Sequence, residues 1–396
     1  MTRPRRPSEA GAAAGVEPAA WATVDLDALR ANLAELRRRV GPAAVLAVVK
    51  ADAYGHGAVT VGRTLEEAGV EWLGVSQPAE AIELRRAGVE LPLLVLGGAD
   101  APTVELCRRW RLTPAISSLE QLAAWSEAAA GAGCEVHLKV DTGMSRLGLS
   151  PGELPRALEV VRRGPLRLAG LFSHFAEADE PASPRNAAQA ERFDGLLSLL
   201  TPGERESVLI HMANSAAALH HPASRHRLVR LGLALYGLDP ARRFDGLTPV
   251  LSVAARIALL RDVERGARAG YGGTWVAEGP RRLAVVPVGY GDGYSWRLSA
   301  GGEALLHGRR VPIAGRVSMD MITLDVTGAD ARLGDEVVLL GRQGGDEITA
   351  FELADRAGTI AWEVLCGFRL RLARRVVDAG APPAQAGADA APVTRR

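Results

Sequence analysis

The chain has 396 residues and a formal net charge of +1, from 47 basic and 46 acidic side chains. This near balance gives no field that would attract nucleic acid or an anionic membrane, so a small-molecule partner is expected. The length exceeds that of one ordinary core and predicts two domains. No stretch approaches the roughly 18 uncharged apolar residues of a membrane span, and residues 1–18 lack the apolar centre of a secretory signal.

Cysteine usage points to the same kind of protein. Cys107, Cys134 and Cys366 are scattered, odd in number and without CxxC spacing. We therefore expect neither a disulfide framework nor a metal site, and a cytoplasmic location.

Lysine is almost missing from the chain, since only Lys50 and Lys139 occur among the 47 basic residues. Arginine stays protonated and cannot form a Schiff base, whereas lysine can lose its proton when it is desolvated and then attack a carbonyl. The bias therefore suggests a chemical role for both lysines. The alternative is a lysine at a strand end that extends its ammonium to water.

In chain order, a loose tail over residues 1–18 precedes an amphipathic helix in "VDLDALRANLAELRRRV", for which Asp25 or Asp27 is a candidate cap. Eight strand-like runs follow, separated mostly by helical stretches. They are "VLAVVK", "WLGVS", "PLLVLG", "LTPAIS", "EVHLKVDT", "LAGLFSH", "VLIHMA" and "LVRLGLALYG". This alternation predicts an α/β fold with an N-terminal (β/α)8 barrel over residues 19–240.

After Pro240 the pattern changes to short apolar runs divided by Gly, Asp and Arg-rich turns. Only "TAFELADRAGTIAWEVLCGF" reads as helix in this part. Residues 241–378 are therefore predicted to form a mostly β C-terminal domain. Residues 379–396 are rich in Ala, Pro and Gly and are predicted to be a disordered tail.

Chemically capable side chains follow the barrel strands, where the active sites of such barrels gather. They are Lys50, Lys139, Arg146, His174, Asn214 and Ser215. An amine, a cation, an imidazole and short polar donors suit an anionic carbonyl cofactor better than a metal. Pyridoxal phosphate is the natural candidate, because it needs a lysine for its aldehyde and donors for its phosphate.

Seven motifs occur in order: "AVVKADAYGHG", "KVDTGMSRLG", "SHFAEAD", "MANSAA", "RLGLALYG", "GYGDGY" and "GRVSMD". Over about residues 20–375 the chain resembles the alanine racemases. The resemblance implies a pyridoxal phosphate enzyme, an isomerase that interconverts L-alanine and D-alanine and supplies D-alanine for cell-wall peptidoglycan. It also implies a homodimer in which the β domain of each subunit completes the active site of the other.

The resemblance further implies residue roles on the barrel. Lys50 would hold the cofactor as an aldimine and act as one catalytic base. Phosphate binding would fall to Tyr54, Asn214, Ser215, Gly232 and Leu233, and His174 would pack near the pyridine ring. Arg146 would lie near the phenolic oxygen and the substrate carboxylate. Lys139 matches a lysine that is carbamylated in many relatives.

Two further roles concern the ring nitrogen and the opposite face of the substrate. Arg230 would face the pyridine nitrogen and leave it unprotonated, because a guanidinium keeps its protons. Tyr271 of the neighbouring subunit would be the second base, with its pKa lowered by a neighbour such as Arg230 or His211. Met319 and Asp320 would line the substrate entrance, with Tyr290 as a supporting residue.

Other functions stay open at this stage. They are a broader racemase that also accepts serine, a barrel-type pyridoxal phosphate decarboxylase, and a cofactor-binding protein without a reaction. A departure from the family bears on the first of these. Relatives usually carry a tyrosine near the end of the β domain where "RLARRV" places Val376, so a wider entrance and weaker cofactor binding are expected.

Overall fold

The computed structural model of the chain describes residues 17–98, 103–129, 133–299, 301–368 and 371–379. The tails predicted at 1–18 and 379–396 therefore lie almost wholly outside the described residues. Among the residues described, the longest apolar helices are too short or too polar to cross a lipid bilayer.

Eight parallel strands form the predicted barrel, and this part of the fold prediction is confirmed. The strands follow the order β8-β7-β6-β5-β4-β3-β2-β9. Their bounds are β2 Ala44–Val48, β3 Trp72–Val75, β4 Leu93–Val95, β5 Leu112–Ile116, β6 Cys134–Lys139, β7 Leu166–Phe172, β8 Leu209–His211 and β9 Leu228–Leu231.

The ring is nearly closed between β8 and β9. Arg227 N donates to Ile210 O at 3.1 Å, and Arg230 N donates to Ala213 O at 2.9 Å. All eight strands therefore direct their carboxyl ends to one rim, which is where a barrel carries its chemistry.

Helices surround the barrel, one before its first strand and the others between successive strands. They are α1 Leu26–Val40, α2 Ala58–Glu67, α3 Pro78–Arg86, α4 Val104–Arg109, α5 Leu119–Ala128, α6 Leu154–Arg163, α7 Pro184–Leu196, α8 Pro202–Ser207 and α9 Ser215–His220. The first is the predicted amphipathic helix. Asp25 caps it, because its Oδ1 accepts from Ala28 N at 2.9 Å, and Leu29, Leu33 and Leu36 are buried.

The remainder is mostly β, also as predicted. Its strands are β10 Leu251–Arg256, β11 Leu259–Val263, β12 Arg268–Ala269, β13 Trp275–Val276, β14 Arg281–Val286, β15 Glu303–Leu306, β16 Arg309–Pro312, β17 Ile322–Asp325, β18 Glu336–Gln343, β19 Asp346–Ile348 and β20 Ala373–Val377. The predicted single helix is two, α10 Ala350–Ala357 and α11 Ala361–Gly367, because Gly358 adopts a left-handed conformation with φ 64° between them.

The first strand departs from the predicted domain division. β1 Ala20–Asp25 pairs antiparallel with β10 and parallel with β20, so it joins the sheet of the second domain and not the barrel. The sequence order hides this pairing, because it joins residues more than 200 positions apart. The described part of the chain thus passes from the sheet of the second domain through the barrel and back to that sheet.

The backbone after β2 makes an unusual turn that positions Lys50. Ala51, Asp52, Ala53 and Tyr54 all have positive φ, between 53° and 56°. Two carboxylates hold it, since Glu80 Oε1 accepts from Ala51 N at 2.8 Å and Asp52 Oδ1 accepts from Ala58 N at 2.8 Å. A left-handed conformation is costly for residues with a Cβ, so the turn stores strain at the end of the strand that carries Lys50.

This strain can be measured with glycine. Ala51→Gly should raise the free energy of unfolding by about 0.5 to 1 kcal/mol, because glycine adopts positive φ without steric penalty. Ala47→Gly is the matched control, since Ala47 is fully buried on the regular strand β2 and its Cβ loss should be destabilising. Urea denaturation checks both variants, and an equal loss of stability in the two would contradict the strained turn.

Candidate active site

A cavity of about 430 Å³ opens at the carboxyl ends of the barrel strands. A second cavity, of about 500 Å³, lies between the barrel and the second domain and contains none of the residues predicted for the site. The first holds ten of them. They are Lys50, Tyr54, Lys139, Arg146, His174, Asn214, Ser215, Arg230, Gly232 and Leu233.

Lys50 follows a firmly held strand end. Val49 N donates to Gly74 O at 2.8 Å, and the hydroxyl of Tyr236 donates to Val48 O at 3.0 Å. Burial lowers the pKa of the Lys50 amine, and the positive charge of Arg146 lowers it further. The amine is therefore easier to deprotonate than a surface lysine, as a nucleophile or a base requires.

Lys139 is also desolvated, and it lies in the same cationic environment. It ends β6 and is 6% exposed. Burial lowers its pKa to about 8, with smaller contributions from the charges of Arg146 and Arg230. Among the described residues that line the cavity, Asp179 is the one acid, and it is exposed. The cavity is therefore positively charged and suited to an anionic ligand.

Arg230 lies at the inner wall and is 4% exposed. Its Nη1 lies 2.9 Å from His211 Nδ1 and its Nη2 lies 2.9 Å from His174 Nδ1. Nη2 also lies 2.7 Å from Ser173 O and 2.9 Å from Met212 O, so its two hydrogens are shared among three acceptors. Burial lowers the pKa of Arg230 to about 9, which is still above neutral pH, so the guanidinium keeps its protons.

Both histidines beside Arg230 are neutral. Burial and the Arg230 charge lower the pKa values of His174 and His211 well below the usual range. The hydrogen bonds agree with this, since a guanidinium only donates and each Nδ1 must accept. Phe172 stacks on His211 with ring centroids 4.6 Å apart and completes the wall.

Neutral donors also line the cavity. Ser215 Oγ accepts from Gly232 N at 2.8 Å and from Ala234 N at 3.3 Å, so its hydroxyl hydrogen is left to donate. Burial raises the pKa of Tyr54, which keeps that phenol protonated. A Cβ on Gly232 would lie 2.6 Å from the Tyr54 hydroxyl oxygen, so only glycine leaves room there. Such a group of donors fits a phosphate.

The remaining predicted residues lie outside the cavity. His211 is buried behind Arg230. The other four are on the second domain. Tyr271 is 71% exposed on the turn between β12 and β13, and Met319 is 52% exposed. Asp320 pairs with Arg371 at 2.7 Å, and Tyr290 N donates to Ser318 O at 3.0 Å.

Several cavity residues were missed from the sequence. Ser76 and Gly97 follow β3 and β4, so the strand-end rule applied to "WLGVS" and "PLLVLG" would have found them. Trp362 comes from α11 of the second domain, and nothing in its local sequence indicates this position.

The expectation for Val376 does not agree with the structure. Val376 lies on β20 opposite Val24 of β1, is 48% exposed, and does not line the cavity. Its strand pairs with β1, and its side chain is not among those that line its own subunit's cavity, so nothing in this subunit supports a wider entrance at Val376. The ring that the second domain adds there is that of Trp362.

An amine at a strand end, a cluster of neutral donors and a protonated guanidinium define a barrel-type pyridoxal phosphate enzyme. The chain matches the alanine racemase N-terminal domain over residues 24–240 and the alanine racemase C-terminal domain over residues 250–376. It belongs to the alanine racemase family, a family of pyridoxal phosphate-dependent isomerases.

Individual relatives agree over nearly the whole chain. Alanine racemase of Symbiobacterium thermophilum is 41% identical, covering 91% of this chain and 97% of the relative. That of Synechocystis sp. is 42% identical, covering 90% and 99%. Among solved structures, alanine racemase from E. faecalis has a TM-score of 0.86 at 33% identity, covering 92% and 99%. Alanine racemase from Bartonella henselae, with covalently bound pyridoxal phosphate, has a TM-score of 0.85 at 29% identity, covering 91% and 100%.

The buried histidines predict acid sensitivity. Burial lowers the pKa of His56 to about 4 and that of His137 to about 3, from the usual 6.5. Below about pH 6.5 these histidines bind protons in the unfolded chain but not in the folded chain. Their contribution to the free energy of unfolding is therefore complete above about pH 6.5 and is lost as the pH falls toward these pKa values. Each histidine should contribute up to about 1.4 kcal/mol per pH unit in that window.

Urea denaturation across this pH range measures the loss. His56→Phe removes one titrating ring while keeping an aromatic beside Tyr236, whose ring centroid lies 4.4 Å from that of His56. The slope of the free energy of unfolding against pH should fall by up to about 1.4 kcal/mol per pH unit, the contribution of one proton. An unchanged slope would show that His56 takes up its proton equally well in the folded chain.

Proposed function

We propose that this chain interconverts L-alanine and D-alanine by a two-base mechanism, with Lys50 acting on one face of the substrate and Tyr271 of a second copy on the other. The observation that carries the proposal is Lys50 itself. In a chain with two lysines, it follows a barrel strand, lines a cationic cavity, and has a pKa lowered by burial.

The residues present fit pyridoxal phosphate. Tyr54, Asn214, Ser215, Gly232 and Leu233 would hold its phosphate, and Lys50 would bind its aldehyde carbon. When bound, the cofactor supplies an electron sink that makes the Cα proton of an amino acid removable. Because Arg230 keeps its proton, it would face the ring nitrogen as a hydrogen-bond donor and not as an acid.

Substrate orientation would depend on Arg146 at the mouth of the cavity. Its guanidinium can hold a carboxylate with two hydrogen bonds, which fixes which face of Cα meets Lys50. Neutral Lys50 would take the Cα proton from D-alanine, and Tyr271 on the opposite face would take it from L-alanine. In each direction the group on the other face would donate a proton to Cα, which inverts the configuration.

One subunit offers only half of this arrangement, and for that reason we propose a homodimer with shared sites. Tyr271 and Met319 are largely exposed on the second domain and are not among the residues that line their own subunit's cavity. Exposed apolar side chains on one surface commonly mark a protein interface. Met319 and Asp320 of the second copy would then narrow the substrate entrance.

The product of this reaction would supply D-alanine for cell-wall peptidoglycan. We propose that the enzyme works in the cytoplasm of a bacterium. The bacterial origin of the curated relatives and the scattered cysteines support this setting.

Tyr271→Phe tests the two-base assignment, because phenylalanine keeps the ring and removes the base. Racemisation should slow by about a hundredfold or more. Exchange of the Cα proton with D₂O should survive better from D-alanine, which Lys50 serves, than from L-alanine. Proton NMR in D₂O measures both exchanges, and Tyr294→Phe, at a buried position on the same domain, is the control. Equal loss of the two exchanges would reject Tyr271 as a one-sided base.

Mixing variants tests the shared site. Lys50→Ala and Tyr271→Phe homodimers should each be nearly inactive. A mixed dimer has one site with both defects and one site with neither. After random exchange of subunits, half of the dimers are mixed, so activity should rise to as much as a quarter of that of the unsubstituted protein. If the activity of the mixture never exceeds the sum of the activities of the two variant homodimers, both bases belong to one subunit.

Lys139 should carry a carbamate. Its pKa of about 8 leaves roughly a tenth of the amine neutral at pH 7, and a neutral amine reacts with CO₂. The carbamate charge would be stabilised by Arg146 and Arg230, which now destabilise the ammonium. With ¹³C-bicarbonate, ¹³C NMR should show one lysine carbamate that is lost in Lys139→Arg and kept in Lys50→Ala. A signal that persists in Lys139→Arg would contradict the assignment.

A further inference from the structure

His137 is a fully buried histidine inside the barrel, and neither its motif nor the proposed reaction gives it a role. It lies on β6 two residues before Lys139, so both side chains point to the barrel interior. We infer that His137 is a positioning residue for the cofactor. It fixes the tautomer of His211, and through His211 it holds Arg230, so the inference rests on the cofactor role proposed for Arg230.

The direction of the hydrogen bonds is set from the arginine. Arg230 Nη1 lies 2.9 Å from His211 Nδ1, and because a guanidinium has no acceptor, that nitrogen must accept. The proton of neutral His211 is therefore on Nε2. This Nε2 lies 3.0 Å from His137 Nδ1 and donates to it. His137 must in turn carry its own proton on Nε2, so one charged donor dictates the tautomers of two successive histidines.

These hydrogen bonds, which run from Arg230 through His211, end at the Nε2–H group of His137. His137 Nε2 is buried and has no hydrogen-bond partner among the described residues. An unpaired buried N–H is unfavourable, and an aliphatic residue at this position would avoid it. The other ring nitrogen explains why a histidine is present at this position. Nδ1 accepts from His211, so the unpaired donor lies on His137 and not on the histidine that contacts Arg230.

The strand pair is built around this ring. Opposite His137 the β6–β7 register shifts by one residue and brings Gly170 beside it. A Cβ on Gly170 would lie 2.2 Å from His137 Nδ1, so the glycine leaves the space in which the acceptor sits. A bulge that re-aims a side chain, paired with a glycine that accommodates it, is a specific arrangement. Trp72 packs against the ring at a centroid distance of 5.3 Å.

Loss of the acceptor at His137 Nδ1 would weaken the hydrogen bonding that holds Arg230. Without His137, His211 Nε2–H would be unpaired in the core, and moving its proton to Nδ1 would bring a donor against the Arg230 donor. Arg230 would then keep only its bonds to His174 and to two backbone carbonyls. Its guanidinium would be less well held for a ligand in the cavity.

Three variants separate positioning from packing. His137→Leu removes the acceptor. His137→Asn keeps an acceptor, because Oδ1 of asparagine occupies about the place of Nδ1. Trp72→Phe disturbs the packing of the ring and leaves the hydrogen-bonded chain intact. In the full-length, cofactor-loaded protein labelled with ¹⁵N-histidine, ring nitrogen NMR reports the tautomers of His137 and His211, and spectrophotometric titration gives the pyridoxal phosphate dissociation constant.

We expect Nε2–H tautomers for both histidines in the parent protein. His137→Leu should give a mixture of tautomers at His211 and weaken pyridoxal phosphate binding by about tenfold, whereas His137→Asn and Trp72→Phe should stay within about threefold. An Nδ1–H tautomer at His211 in the parent protein would overturn the inference, and this measurement needs no variant to fold.

Two other results would also overturn it. They are a leucine variant with an unchanged His211 tautomer, and equal weakening of cofactor binding in His137→Leu and Trp72→Phe. Failure of the proposed function is seen separately, as absence of alanine racemisation by the parent protein, and it does not alter the tautomer result.

Discussion

Four cations come together at the rim of the barrel, and the nearby carboxylates of Glu80 and Asp141 offset their charge only in part. Lys50, Lys139, Arg146 and Arg230 line one cavity, and the single acid among its described lining residues is exposed. Burial is the main reason that the pKa values of both lysines fall, and the neighbouring positive charges lower them further. An anionic ligand would relieve the repulsion among these four charges, so the excess of positive charge favours binding of an anionic cofactor. The buried arginine also explains the neutral histidines around it, since a group that can only donate requires acceptors.

The barrel was predictable because its strands are short, apolar and regularly spaced, and because parallel strands all end at one rim. That rule is sufficient to bring Lys50, Lys139, His174 and Ser215 together, and all four line the same cavity. Local patterns also predict the capped helix α1, where Asp25 is within hydrogen-bond distance of the backbone that it caps.

The features that could not be predicted from the sequence depend on long-range strand pairing and on backbone conformation. The pairing of β1 with β10 and β20, the left-handed turn after Lys50, and the approach of Trp362 from the second domain have no local signature. The expectation for Val376 failed for the same reason. It assumed that a position in sequence fixes a position in space, whereas the register of β20 against β1 decides where Val376 lies. His137 has no distinctive signal either, because a histidine in an apolar strand resembles an ordinary core residue until its partners are known.

The scarcity of lysine has a practical consequence for the folded protein. Both lysine side chains of the chain line one cavity, and neither belongs to the freely exposed surface. Lysine-specific proteases and acylating reagents therefore meet their targets only where the barrel opens or where the cavity admits them, while arginine-specific cleavage can proceed across the surface. Comparing the two cleavage rates would report opening of the barrel rim independently of loosening at the surface. The chain thus carries a natural probe of its own catalytic core, free of background from lysines elsewhere.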